Sequence, residues 1–558
     1  MTTNTQIATK NETYKPPPAD VTLRNSRLST RQMWLVGAGI VLLGLLLRAI
    51  WAAPPRAVRW DEADMLVLAQ NLLRGVGYQV QGPPELHWPP GAPYLAALSM
   101  VAGVTADRAL TVWHVLAGAL GCGLLFGLAS DVTGNWRTGA LAGLLLAVSP
   151  ALAVWPLYWG SNSESLFLAF LLAGLWATWR MLHGGRWRTG LAGGLGFGAA
   201  YLVRPEGMIY WLLFLGLALL LALARRTDWR AVALFALAFL ILATPYIVYL
   251  QHTTGRLMVS GKAGITTTLG AAITDQGSAL GEDAGSVLDS TGQEILWLSP
   301  EQFDISWLDS ARADPELAAR RLARNLMALP GIVLEDLANP LLLVLAFLGL
   351  FARPWNRETT MRQGFWLACL LPLAVVPLFH VHARLLTPLV PVLLVWAAEG
   401  MLAVADWARG TAAAWPRMRP LVTALLAGVL IVVLLGGVWS QRSASLSGQA
   451  TLFPSHQQAG QWLSANSQPG EPVMTRNTEI GLYADRPQVA LPNATWEEIV
   501  AYGAARGARF LVIDDWEVET VRPQLSPLLL PSLVPPEVTM LQSFEDERRT
   551  TYVLGFEP

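Results

Sequence analysis

Three carboxylates, Asp61, Glu62 and Asp64, open a short helical stretch directly after the first long apolar run. A carboxylate at the edge of a membrane can take a proton from an attacking hydroxyl. Arg204, Lys262 and Arg384 recur much later, each in a short polar segment beside an apolar run. Guanidinium and ammonium groups so placed can hold phosphate oxygens, arginine in a bidentate grip. Glu164, in Ser161-Asn162-Ser163-Glu164, and His380 and His382, just before Arg384, complete the set of ionisable residues near apolar boundaries. Charges so close to hydrocarbon are costly, and tend to be functional or paired.

Each also has a plain structural use. Asp61 is a good helix N-cap, Glu164 can cap the helix it opens, and Arg204 and Arg384 can snorkel to lipid phosphates. His380 and His382, spaced like alternate residues of an extended turn, could be metal ligands, but two histidines without a matching third are more often ordinary interfacial residues. What favours chemistry is the order of the elements that must carry these residues.

Of 558 residues, 53% are hydrophobic and only 14% charged, a composition of a polytopic membrane protein. The net charge is −1, with no basic excess for nucleic acid. Cys122 and Cys369 both fall in apolar runs, so neither a disulfide framework nor a thiolate metal site is implied. Residues 1–30 are polar, contain Lys15-Pro16-Pro17-Pro18, and read as a disordered cytoplasmic tail ahead of a signal-anchor span.

Runs long enough to cross a bilayer, about 20 residues each, lie at 32–53, 107–130, 137–156, 161–182, 188–205, 206–224, 230–250, 331–352, 363–380, 384–404 and 420–439, eleven in all. Alternate connections carry the arginines: Arg24, Arg27 and Arg31; Arg137; Arg180, Arg186 and Arg188; Arg225, Arg226 and Arg230; Arg353, Arg357 and Arg362; Arg409, Arg417 and Arg419. By the positive-inside rule these face the cytoplasm, which puts loops 54–106 and 251–330 and the C-terminal part on the outer side. The ionisable residues above then gather on one face.

In loop 54–106, Met65, Leu68, Ala69 and Leu72 form one apolar helix face, expected to rest on the bilayer boundary or on other spans. Loop 251–330 begins Gly- and Thr-rich, turns acidic at Glu282-Asp283 and ends in a helix over 315–327; it suits a lid with little regular structure. Residues 440–558 read as a small α/β domain, with helices over 457–465 and 495–505 and strands over 473–475, 509–513, 538–544 and 550–556. Its Asp514-Asp515 pair follows a strand without catalytic spacing.

The chemistry that fits pairs a lipid-borne donor with a hydroxyl acceptor: Asp61 as base, Arg204, Lys262 and Arg384 on the departing phosphate. The residues also resemble a family. Trp60-Asp61-Glu62-Ala63, Ala69-Gln70-Asn71-Leu72-Leu73-Arg74-Gly75 and Pro89-Pro90-Gly91 resemble the first outer loop of GT-C glycosyltransferases, in particular the protein O-mannosyltransferases and the lipid A aminoarabinose transferase. Ser163-Glu164, Arg204-Pro205-Glu206-Gly207, Ser260-Gly261-Lys262 and Ala383-Arg384-Leu385-Leu386-Thr387-Pro388, with Pro391, are similar to later motifs of bacterial members, in the same order.

The resemblance implies a GT-C domain over 31–439 and a polyprenyl-phosphate sugar as donor. It implies inversion in one displacement, with Asp61 as base and Glu62 positioning the base or the acceptor. Arg204, Lys262 and Arg384 would meet the donor phosphate, with Glu164 and His382 beside them. The family often has Lys before the Pro-Pro pair; here Trp88 stands there, and His87 is the candidate substitute contact. No metal or other cofactor is implied. The expected partners are the lipid-linked donor, a lipid, glycan or protein acceptor of the cell envelope, as in modification of lipopolysaccharide or wall glycan, and the bilayer. The expected location is the cytoplasmic membrane, crossed many times, with the site outside.

Two other readings compete. Transfer of an oligosaccharide from a pyrophosphate carrier would resemble the oligosaccharyltransferases, but their Trp-Trp-Asp motif is missing from the C-terminal domain. A transporter or lipid flippase would place polar groups near the midplane in repeated halves, and no such repeat is visible.

Overall fold

The computed structural model describes residues 28–413 and 416–557, so the tail expected over 1–30 lies almost wholly outside the described residues. Among these, eight helices are long and apolar enough to cross a membrane, or ten if each of two bent pairs is one span. The remaining segment of the expected eleven is the Gly-rich helix Trp187–Val203. Its 17 residues span about 25 Å, short of a hydrocarbon layer of about 30 Å.

The first span, Thr30–Ala52, starts at a capping box formed by Ser29 and Gln32. Inside it Arg48 is 1% exposed, which only a set of fixed acceptors can offset. Two of the acceptors come from a break. Helix Trp136–Val148 stops at Ser149, and the chain continues through Pro150 at a 65° bend, leaving carbonyls without helical partners. Arg48 donates to the carbonyls of Leu146 at 3.4 Å, Leu152 at 3.3 Å and Gly44 at 3.3 Å. Gly118 makes room for it: a Cβ there would lie 2.3 Å from Arg48 Nε.

The same break turns residues 158–163 toward the end of the bundle where helix Asp61–Leu73 lies. That helix is buried more completely than its apolar stripe predicts. Leu66 and Val67 are buried along with Met65, Leu68 and Ala69. The reason is that helix Gly91–Val101 and the C-terminal helix Thr478–Ala484 both pack against it, so protein rather than bilayer covers the helix.

The segment expected as an irregular lid is instead largely helical. It holds Ala263–Gln276, Ser278–Glu282, Trp307–Ala313 and the longer Pro315–Ile332, which meets the next span, Pro340–Phe351, at 108°. Asp283 anchors this segment to the C-terminal part: it accepts from Arg476 at 2.9 Å, Arg522 at 3.0 Å and Asn493 at 2.9 Å.

The C-terminal part is a five-stranded sheet in the order β2-β1-β3-β5-β4: β1 (Val473–Thr475), β2 (Gln488–Ala490), β3 (Phe510–Asp514), β4 (Val538–Glu545) and β5 (Thr550–Phe556). β1 runs parallel to β2 and β3, while β5 is antiparallel to β3 and β4. β2 and helix Thr478–Ala484 are additions to the elements read from the sequence. Helix Trp496–Ala505 has the expected Thr495 cap, as a capping box with Glu498.

Candidate active site

Asp61 is not the N-cap of its helix. Trp60 takes that place with φ 52° and ψ −136°, and the carbonyl of Gly160 accepts the Glu62 N–H at 2.8 Å. The Asp61 carboxylate is therefore spared from capping and pairs with Arg384, whose guanidinium donates to Oδ2 at 2.6 Å. Both side chains remain partly exposed, at 22% and 29%.

Arg384 stands in the tight turn Ala383–Leu386. Its carbonyl accepts from Thr387 Oγ1 at 3.1 Å and from Arg204 at 3.3 Å, so one cation fixes the backbone that carries the other. Arg204 sits in the turn between helices Trp187–Val203 and Glu206–Leu223. It pairs with Glu206 at 2.9 Å and lies 3.5 Å from Glu164. Glu164 is fully buried and caps nothing; it accepts from Ser161 Oγ at 2.6 Å. It is a support beneath Arg204 rather than a cap.

Lys262 directly precedes helix Ala263–Gln276, with its ammonium 3.2 Å from the centroid of the Trp88 ring. Gly261 is required here, since a Cβ would lie 2.3 Å from the Leu86 carbonyl oxygen. Burial, with Arg384 and Arg204 nearby, pulls the Lys262 ammonium down to about 8 against the opposing pull of Asp61 and Glu206. Asp64, one turn along from Asp61, is pushed up to about 8 by burial, with the charge of Asp61 adding to it. His382 accepts from the Arg384 N–H through Nδ1 at 3.2 Å. Burial and the Arg384 charge push it down to about 3, so the imidazole is neutral.

Two expected residues point elsewhere. Glu62 is fully buried and grips Arg56 with both carboxylate oxygens; Asn162 donates to it at 2.9 Å, and Thr111 accepts from Arg56 at 3.0 Å. It is a clamp under the start of the helix. His87 is 2% exposed, bonded to Glu85 at 2.9 Å and Gln302 at 2.7 Å and stacked on Trp297. Its ring is enclosed by these three, and the neighbouring Trp88 is the residue that reaches Lys262.

Sequence reasoning missed Arg56, Asn162 and the aromatic role of Trp88. A cation six residues before Glu62 was the available signal for the first. Among the described residues, no three His, Cys, Asp or Glu side chains are grouped closely enough to hold a metal ion.

Asp61, Arg384, Arg204, Glu164, Lys262 and His382 thus come together from five separate stretches: carboxylates beside cations at one end of a membrane-spanning bundle. This architecture is the GT-C glycosyltransferase fold, followed by a small α/β domain. The structure of ArnT from Cupriavidus metallidurans in the apo state is similar over 94% of this chain and 98% of that one, with TM-score 0.56 and 13% identity. ArnT from the same organism bound to undecaprenyl phosphate gives TM-score 0.54 with the same identity and coverage. Arabinofuranosyltransferase AftD from Mycobacteria matches 95% of this chain and 42% of its own, with TM-score 0.51 and 15% identity. Residues 87–249 match the family model described as dolichyl-phosphate-mannose-protein mannosyltransferase. A search of curated proteins finds no match.

Proposed function

We propose that the protein is a membrane glycosyltransferase that moves one sugar from a polyprenyl-phosphate donor to an acceptor on the extracytoplasmic face of the cytoplasmic membrane. The observation that carries this reading is the 2.6 Å pair of Asp61 and Arg384, with Arg204 bound to the same turn and Lys262 within electrostatic reach. The undecaprenyl phosphate held by ArnT supports the donor class, and the mannosyltransferase family match supports the reaction.

In the proposed step the acceptor hydroxyl oxygen forms a bond to the anomeric carbon while the bond from that carbon to the phosphate oxygen breaks. Its electron pair leaves with the polyprenyl phosphate, and the hydroxyl proton passes to Asp61. Attack opposite the leaving group inverts the anomeric centre. Arg384, Arg204 and Lys262 stabilise the charge gathering on the phosphate, so the protein's own cations do the work a metal would do elsewhere. As the phosphate draws Arg384, the Asp61 carboxylate is released for the proton. Glu62 acts through the backbone, holding Arg56 and the first turn of the helix.

Purified protein in lipid nanodiscs, given a panel of polyprenyl-phosphate sugars and envelope acceptors, should yield a mass-resolved product of one added sugar. Asp61→Asn should lower transfer by about 10³-fold or more while remaining inserted. Full transfer by that variant would remove the base assignment, and uptake without product would favour a transporter.

A further inference from the structure

The C-terminal part does more than sit above the site. Trp60, the residue before Asp61, adopts a backbone conformation rare for any side chain other than glycine. Something must hold it. One support is Gly160, itself at φ 80°, where a Cβ would lie 2.9 Å from the Trp60 ring. The other is Arg59, whose guanidinium carbon lies 3.6 Å from the ring centroid.

Arg59 is 7% exposed, and its hydrogen bonds go to neutral oxygens, the Thr451 carbonyl at 2.9 Å and hydroxyl at 3.1 Å. Its charge is met by the nearby Glu479 carboxylate and by aromatic faces. Phe453 lies 5.3 Å beyond it; Arg549 covers Phe453 at 3.8 Å and Trp516 at 4.6 Å; Arg476 follows at 5.9 Å from Trp516. Cations and rings therefore alternate from Trp60 into the sheet domain. The far end is fixed, because Arg549 donates to Asp514 at 3.1 Å and Arg476 to Asp283 at 2.9 Å. A second tie joins the same two parts: the Val58 N–H donates to Tyr483 Oη at 2.8 Å.

We infer that Arg59, Phe453 and Arg549 are positioning residues of the active site, through which the C-terminal domain holds the Trp60 turn and so aims the Asp61 carboxylate. The inference rests on the proposed glycosyl transfer for its kinetic consequence, while its geometry stands apart from it. Phe453 touches no reacting group, yet losing its ring leaves only the Thr451 hydrogen bonds to hold Arg59 from that side, and its grip on Trp60 loosens. A base displaced by an ångström loses rate without losing donor affinity.

The test uses the full chain in nanodiscs, with Phe453→Leu, Phe453→Tyr and Arg59→Leu. Phe453→Leu and Arg59→Leu should lower kcat about 10- to 100-fold with the donor KM within about twofold, and Phe453→Tyr should keep wild-type kcat. In parallel, the protein is labelled with 5-fluorotryptophan and the Trp60 resonance is assigned by its loss in Trp60→Phe. That resonance should shift in Phe453→Leu and return in Phe453→Tyr. An unmoved resonance overturns the inference whatever the activity; so does wild-type kcat in both leucine variants, or equal damage from Phe453→Tyr. If the wild type transfers no sugar while the resonance behaves as expected, the proposed function fails and the positioning stands.

Discussion

Asp61 and Arg384 stand 323 positions apart in the chain and 2.6 Å apart in space. With its Oδ2 engaged by a guanidinium, the carboxylate is held in place and aimed, and the same guanidinium is the group a phosphate would compete for. Replacing Arg384 by Gln should lower kcat/KM for sugar transfer by about 10²–10³-fold. Because the two act as a unit, adding Arg384→Gln to Asp61→Asn should cost little more than Asp61→Asn alone. Initial rates of product formation by the three variants decide this; additive losses would mean that the pair does not work together.

Lys262 carries a pH signature. Burial and the neighbouring arginines bring its ammonium down to about 8, so its charge is lost as pH rises through that value. The donor KM should therefore climb above pH 8 in the wild type, and Lys262→Arg, which keeps its charge, should flatten that climb. A donor KM constant to pH 10 in the wild type would take Lys262 off the phosphate.

The Arg56–Glu62 clamp is almost wholly shielded, at 3% and 0% exposure. Glu62→Gln strands a buried guanidinium and should destabilise the protein by about 3–5 kcal/mol. Replacing both partners, Arg56→Met with Glu62→Leu, should recover much of that loss, read as the unfolding midpoint in detergent. If Glu62→Gln leaves stability intact and removes activity, Glu62 takes a direct part in transfer.

His456 ties the C-terminal domain together, with Glu479 at 3.0 Å on Nδ1 and Asp514 at 3.1 Å on Nε2. Burial alone would lower its pKa, but the two carboxylates outweigh that and raise it to about 9. A group with its folded pKa raised contributes fully below its unfolded value of about 6.5 and progressively less as pH climbs to 9. Stability should fall by on the order of 3 kcal/mol across that window. His456→Gln, measured over the same range by thermal unfolding, should lose most of this dependence.

What could be read from the chain was whatever is local in sequence or repeated along it. The apolar runs, the polar turns that hold Arg204, Lys262 and Arg384, and the strand pairs near the end each announce themselves within about ten residues. The break after Val148 was marked locally only by Ser149-Pro150, within a run that stays apolar on both sides of that pair, and it is the long-range bonds of Arg48 that fix it. β2 is three buried residues with no alternation to detect. Asp61 as an N-cap was a sound local expectation, overridden by the Gly160 carbonyl, 99 positions away from it. The partners of Glu62 and His87 had the same difficulty: Arg56 is near, but Asn162 and Gln302 are not.

The hydrophobic interior of the sheet domain includes a visitor. Ile295, from the segment that starts at the end of Trp229–Thr254, is 5% exposed among Met474, Leu511, Ile513 and Leu554, with Trp297 packed beside it. A recombinant fragment beginning at residue 440 would therefore start life with a hole in its middle and a greasy lining open to water. Crystallographers or immunologists wanting that portion alone would have to graft the 283–299 stretch back onto it.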